Sequence, residues 1–115
     1  MKETDIVRDC LQYLQYRGIM SWRQNTTGIF NAKSGGYYFH GRKGVSDILG
    51  VFPQTVEIEG KKVVQGLFLA IEVKMPKKNP TPDQHKFLDE INSKGGIGIC
   101  VHSVEELDDL LEVYL

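Results

Sequence analysis

A mixed α/β fold, a small sheet flanked by helices, is what this sequence predicts, and three observations predict it. Apolar residues recur at helical spacing near both ends of the chain and once between them. Strand-like alternation fills the centre, where Glu59-Gly60 marks a hairpin turn. The order helix, several mostly antiparallel strands, helix, strand, helix then needs one sheet with helices packed against it.

The first helix rests on Ile6, Val7, Cys10, Leu11 and Leu14, with Gly18 as its stop. "IMSWRQN", from Ile19 to Asn25, alternates as a strand. "TTGIFNAKSGGYYFHGRKG" is long, glycine-rich and partly aromatic, and loops of that length are often functional. "VSDILGVF" reads as a strand, "TVEIEGKKVVQG" as a hairpin, and Leu67 to Lys74 as a strand ended by Pro76 and Pro80. Thr81, Pro82 and Gln84 form a T-x-x-Q capping box with proline at the first helical position. Phe87, Leu88 and Ile91 carry that helix to Gly95-Gly96. "IGICVH" is a short strand, and Ser103 with Glu106 forms a second capping box for the last helix.

The 115 residues make one domain, 1–115, large enough for a real core. No apolar run is long enough to span a membrane and no signal-peptide pattern opens the chain, so a cytoplasmic location is expected. Cys10 and Cys100 sit among apolar residues and read as small buried hydrophobes. Fourteen basic against fifteen acidic residues exclude a polycation, so any nucleic-acid footprint must be local. The basic residues do cluster: Lys33 with Arg42 and Lys43, Lys61 with Lys62, and Lys74 with Lys77 and Lys78. Tyr37, Tyr38, Phe39 and His40 lie between the first of these and offer faces for stacking, or the side chains of a strand. His40, His85 and His102 share no metal-binding spacing.

One strand carries an oddity. Leu67, Leu69, Ile71 and Val73 take one face, and Phe68, Ala70, Glu72 and Lys74 the other, so a mostly apolar strand turns ionic at one end of one face. Two residues of rise separate the Glu72 and Lys74 Cα atoms by roughly 6.5–7 Å, and both side chains can address one small site. A salt bridge at the strand exit explains the pair by itself. Asp47, near the start of another strand, changes the balance. Two carboxylates suit magnesium, whose remaining positions go to water and substrate phosphate. A lysine beside them can stabilise phosphate charge or position a water.

Asp47 followed by Glu72-x-Lys74 is the pattern of the PD-(D/E)XK nuclease superfamily, with Ser46 where that superfamily has proline. The closer resemblance is to the VRR-NUC (virus-type replication-repair nuclease) domain, in its stand-alone, phage-type form. It is carried by a helix opening with Glu3, "RQN", "GRKGVSDILG", "LAIEVK", "TPDQHKFLDEI" and "GGIGICVHSVEEL". The resemblance implies a restriction-endonuclease-like core. It implies Asp47, Glu72 and the Val73 carbonyl as ligands of Mg2+ or Mn2+, Lys74 as the catalytic lysine, and Gln84 beside the active site. It makes Glu3 a further carboxylate of the metal site, and Arg23 and Asn25 contacts to DNA. Lys33, Arg42, Lys43, Lys77 and Lys78 would meet the DNA backbone.

The expected activity is metal-dependent phosphodiester hydrolysis by a DNA endonuclease. Such a chain has no room for a separate DNA-recognition domain, and small nucleases of this kind usually act as symmetric dimers. That favours branched DNA, with a four-way (Holliday) junction first. The alternatives are the same chemistry on flap, nicked or duplex DNA, a non-catalytic nucleic-acid-binding module, and a structural protein whose D…ExK set is coincidental.

Overall fold

The computed structural model describes residues 1–24, 29–31, 36–38 and 42–115, with the backbone alone for 29–31 and 36–38. Helix α1 (Glu3–Tyr16) is followed by strands β1 (Met20–Arg23), β2 (Ile29–Asn31), β3 (Gly36–Tyr38), β4 (Ile48–Ile58) and β5 (Lys61–Val73). Helix α2 (Pro82–Ser93), strand β6 (Ile97–Val101), helix α3 (Val104–Leu111) and a 3-10 turn (Glu112–Tyr114) complete the chain.

The main sheet has the order β1-β4-β5-β6. β4 is antiparallel to its neighbours β1 and β5, and β6 joins β5 in parallel. A parallel neighbour needs a crossover, and α2 provides it. The alternation of β5 then sorts the helices. Leu69, Ile71 and Val73 face α1 and α3, in a core with Val7, Cys10, Leu14, Ile48, Phe52, Val101, Leu107 and Leu111. Ala70 faces α2, packed with Phe87 and Leu88. The sheet is thus covered on both faces, and the mixed α/β expectation holds.

Four details differ from the sequence reading. "VSDILGVF" and the first half of the hairpin are one continuous strand, β4, and the second half runs straight into β5. Pro53 does not interrupt β4 because β1 ends its pairing at Val51, leaving that edge without a strand neighbour among the described residues. The ribbon from Pro53 to Gly66 therefore extends past both β1 and β6. Glu59 and Gly60, with φ of 50° and 78°, make its two-residue turn. Second, the long glycine-rich segment contains a short hairpin, β2 with β3. Third, β1 ends at Arg23 rather than Asn25. Fourth, the last helix tightens to a 3-10 turn after Leu111.

Candidate active site

The β4–β5 register builds the centre. Ile48 pairs with Ile71, and one step further along both strands sets Asp47 opposite Glu72. Opposed residues share a face, so both carboxylates lie on the α2 side of the sheet, with Lys74 two residues on. The Val73 N–H donates to Asp47 Oδ2 at 2.8 Å, which fixes the first carboxylate against the strand bearing the second. N–H and C=O of one strand residue point to the same side, so the Val73 carbonyl also faces toward Asp47. Asp47 is held from its other flank as well, since its carbonyl accepts the Gln24 N–H at 2.7 Å.

Glu72 is 2% exposed, and its Oε2 has no hydrogen-bond partner. Lys74 Nζ lies 4.0 Å from Glu72 Oε1, with 16% of its side chain exposed. That contact is longer than a hydrogen bond. The Glu72 carboxyl is pushed up to about 8, by burial first and then by the neighbouring Asp47 carboxylate. Lys74 pulls it down and Glu3 adds a small upward push. Only when both acids are ionised does the pair hold more negative charge than its one lysine balances.

Among the described residues no three His, Cys, Asp or Glu side chains gather as a metal-binding group. Glu3 opens α1 and its charge reaches Glu72, but it does not close into a triad with Asp47 and Glu72. The centre offers two carboxylates, which is what magnesium asks of a protein. The buried, unpartnered Glu72 oxygen is an observation such a cation fits, because a buried carboxylate oxygen without a donor is costly.

Gln84 lies on the first turn of α2. The Thr81 box forms in both directions, Gln84 N–H to Thr81 Oγ1 at 3.3 Å and Thr81 N–H to Gln84 Oε1 at 2.8 Å. The start of α2 touches the loop before Asp47. At Gly44 a Cβ would sit 2.4 Å from the Asp83 carbonyl oxygen, and its φ of 77° also favours glycine. Arg42 ion-pairs with Glu90 and lies over the Phe87 ring, 5.1 Å from its centroid, so the loop is pinned to α2 at two points.

Of the other expected DNA contacts, Lys43, Lys77 and Lys78 are exposed. Arg23 is exposed and pairs in register with Ile48, at the same end of the sheet but on the opposite face from Asp47. Asn25 and Lys33 lie outside the described residues, as do Phe39 and His40. Two features escaped the sequence reading. Gln24 anchors the Asp47 backbone. Glu106 accepts from the His102 N–H at 3.0 Å, so the reciprocal half of the second box goes one residue further back than S-x-x-E implies, while Ser103 Oγ caps the Glu106 N–H at 3.1 Å. A histidine just before the box was the available signal. Cys10 is buried and Cys100 half-buried beside Glu72; burial first raises both thiols, to about 12 and about 11.

The family model of the VRR-NUC domain matches residues 3–105. No curated protein and no solved structure matched the chain. No helix among the described residues is long and apolar enough to cross a membrane.

Proposed function

The chain belongs to the VRR-NUC domain family, and from that premise of a nuclease-type function we propose a Mg2+- or Mn2+-dependent, structure-selective DNA endonuclease. The observation that supports the metal is the carboxylate pair of half-buried Asp47 and buried Glu72, with one Glu72 oxygen unpartnered. Asp47, Glu72 and the Val73 carbonyl would hold the cation, and Glu3 would join through water, as the family resemblance implies. When bound, it would supply Lewis-acid activation of the phosphodiester and of the attacking water.

The chain's own residues do the rest. Asp47 is held rigid by the Val73 and Gln24 N–H groups, so the site is set before substrate arrives. The Lys74 ammonium, mostly shielded from water, orients the attacking water and neutralises charge gathering on the phosphate. Gln84, on the first turn of α2, would orient the same water or a phosphate oxygen, the role that the family resemblance implies. Lys43, Lys77 and Lys78 bind the flanking backbone from two loops around the centre.

The substrate we propose is branched DNA, a four-way junction first, cut by a homodimer acting in the host cytoplasm of a phage-encoded protein. Support for self-association comes from the Pro53–Gly66 ribbon. Both its edges lack strand neighbours among the described residues, and it exposes Ile58 (54%), Val63 (41%) and Val64 (68%). A two-stranded ribbon by itself is at best marginally stable in water.

A cleavage panel tests the reading: junction, flap, nicked, single-stranded and duplex DNA, each with magnesium, manganese or chelator. Paired metal-dependent cuts in the junction, absent from Lys74→Ala, are expected. Cleavage of another substrate would overturn the target, and no cleavage of any DNA would overturn the activity.

A further inference from the structure

We infer that His102, in its imidazolium form, is a positioning residue that holds the loop between Lys74 and α2 in its DNA-binding shape. The inference rests on the reading that Lys77 and Lys78 meet DNA, and it adds a residue that no part of the D…ExK pattern includes.

The loop from Met75 to Pro80 joins the end of β5 to the cap of α2, and so links Lys74 to Gln84. Within it, the Lys78 N–H donates to the Met75 carbonyl at 3.0 Å. Lys77 sits at φ 70°, in the left-handed region. For a residue with a Cβ that conformation costs roughly 1–2 kcal/mol, so something outside the turn must favour it.

His102, at the end of β6, reaches in from outside. Its Nε2 lies 2.8 Å from the Lys78 carbonyl oxygen. Its Nδ1 lies 3.0 Å from Glu106 Oε2, which also accepts the His102 backbone N–H. A carbonyl oxygen and a carboxylate oxygen both accept and never donate. A neutral imidazole has one N–H and would turn a lone pair toward one of the two. Only the imidazolium donates to both. The charged group facing the ring is Glu106 from α3, while the loop presents the Lys78 carbonyl. The ring's pKa is accordingly raised above 6.5, first by the Lys78 carbonyl and then by Glu106, against a smaller opposing effect of burial.

Protonated His102 therefore does two things at once. It ties the middle of the loop to β6 and α3, and it places a positive charge beside two exposed lysines. Because its folded pKa is raised, the tether is complete below the ordinary histidine range and is lost as pH rises through the folded value. DNA grip at this loop should weaken in the same window.

The test compares wild type with His102→Gln and Glu106→Gln, neither of which alters the carboxylate centre. Hydrogen exchange of the Met75, Lys77, Lys78 and Asn79 amides is measured without DNA across pH. Fluorescence anisotropy with a labelled four-way junction and a labelled duplex is measured in calcium over the same range. In the wild type, loop protection relative to His102→Gln should fall as pH rises, and junction affinity should drop about fivefold, the scale of one charge near a phosphate in a wet site. His102→Gln should give a flat profile at the weaker level, and Glu106→Gln should move the midpoint to lower pH. Loop protection that is unchanged in His102→Gln at every pH would overturn the tether. A titrating loop in a protein that binds no DNA would instead overturn the DNA-contact role and keep the tether, so the two failures are distinguishable.

Discussion

Asp47 Oδ2 accepts the Val73 N–H at 2.8 Å, so the carboxylate on one strand is anchored by the peptide that follows the other carboxylate, Glu72. The bond fixes the separation of the two acids through backbone geometry rather than through a flexible side chain. It also makes Asp47 both structural and chemical, and substitutions should separate these roles. Asp47→Asn keeps an oxygen acceptor for Val73 and loses only the charge. It should fold with near wild-type stability yet lose magnesium binding by calorimetry and all cleavage. Asp47→Ala leaves the Val73 N–H without its acceptor and should cost a further 1–3 kcal/mol, by order of magnitude about one buried hydrogen bond, in chemical denaturation.

Lys74→Ala removes the counter-charge without touching that anchor. Cleavage should fall by at least about 100-fold, the usual scale for losing a charge-stabilising group, while junction affinity in calcium changes little. Since Lys74 lowers the Glu72 pKa, its loss should also move the Glu72 titration upward, which carboxyl NMR can follow. Retained turnover in this variant would end the role given to Lys74.

The metal-free protein should lose stability as pH rises. Glu72 titrates near 4.5 when unfolded and near 8 when folded. Between those values the folded state holds the extra proton, so unfolding releases it and stability declines with pH. The slope from this one group reaches at most about 1.4 kcal/mol per pH unit. Above the folded value the decline stops. Thermal melts in chelator from acidic to mildly alkaline pH should show it, Glu72→Gln should flatten it, and magnesium should reverse it by displacing the proton. A rise in stability across this window in chelator would contradict the assignment.

How much of this was legible in the sequence depended on the range of the interaction. Glu72 and Lys74 share a face because strand alternation is local, and the Thr81–Gln84 box formed in both directions because its partners lie within one turn. Asp47 joined them as a second carboxylate fit for magnesium, and the resemblance gave the set its roles. What alternation cannot give is register. That Asp47 stands opposite Glu72, rather than one residue away on the other face, follows only from the Ile48–Ile71 pairing. Gly50 and Pro53 both lie inside the continuous β4, where a close neighbour and an edge tolerate them. At Gly50 a Cβ would fall 2.4 Å from the Met20 carbonyl oxygen, so that glycine lets β1 approach and does not end β4. His102 was discounted as a metal ligand on spacing, and its actual partner is a carbonyl 24 residues away that no local pattern announces.

Lys77 offers a way to separate backbone strain from charge. Lys77→Gly relieves a left-handed lysine and removes its ammonium. Folding should become more stable by up to about 1 kcal/mol, although glycine's extra freedom in the unfolded chain offsets part of the gain. Lys77→Ala removes the same charge and keeps the strain. Both should weaken junction binding alike and lower its salt dependence by about one phosphate contact. Unequal binding by the two would mean that loop shape, not the Lys77 charge, is what DNA senses.

The Pro53–Gly66 ribbon carries the last prediction. Val63 and Val56 pair across it on the face continuous with the α1–α3 core, and Val64 lies on the other. Glu57 and Glu59 are matched by Lys61 and Lys62, so the ribbon has no net charge to attract a polyanion, and its β-branched surface suits protein better than DNA. Val63→Glu and Val64→Glu lie on the ribbon beyond the part of β5 that pairs with β6, at side chains 41% and 68% exposed. Each should leave the melting temperature of the monomer unit and magnesium binding intact, while light scattering shows dimer giving way to monomer. If the active dimer is built on this ribbon, junction cutting should fall from paired to single incisions in step with that dissociation. A dimer that survives both substitutions would place its interface elsewhere on the molecule.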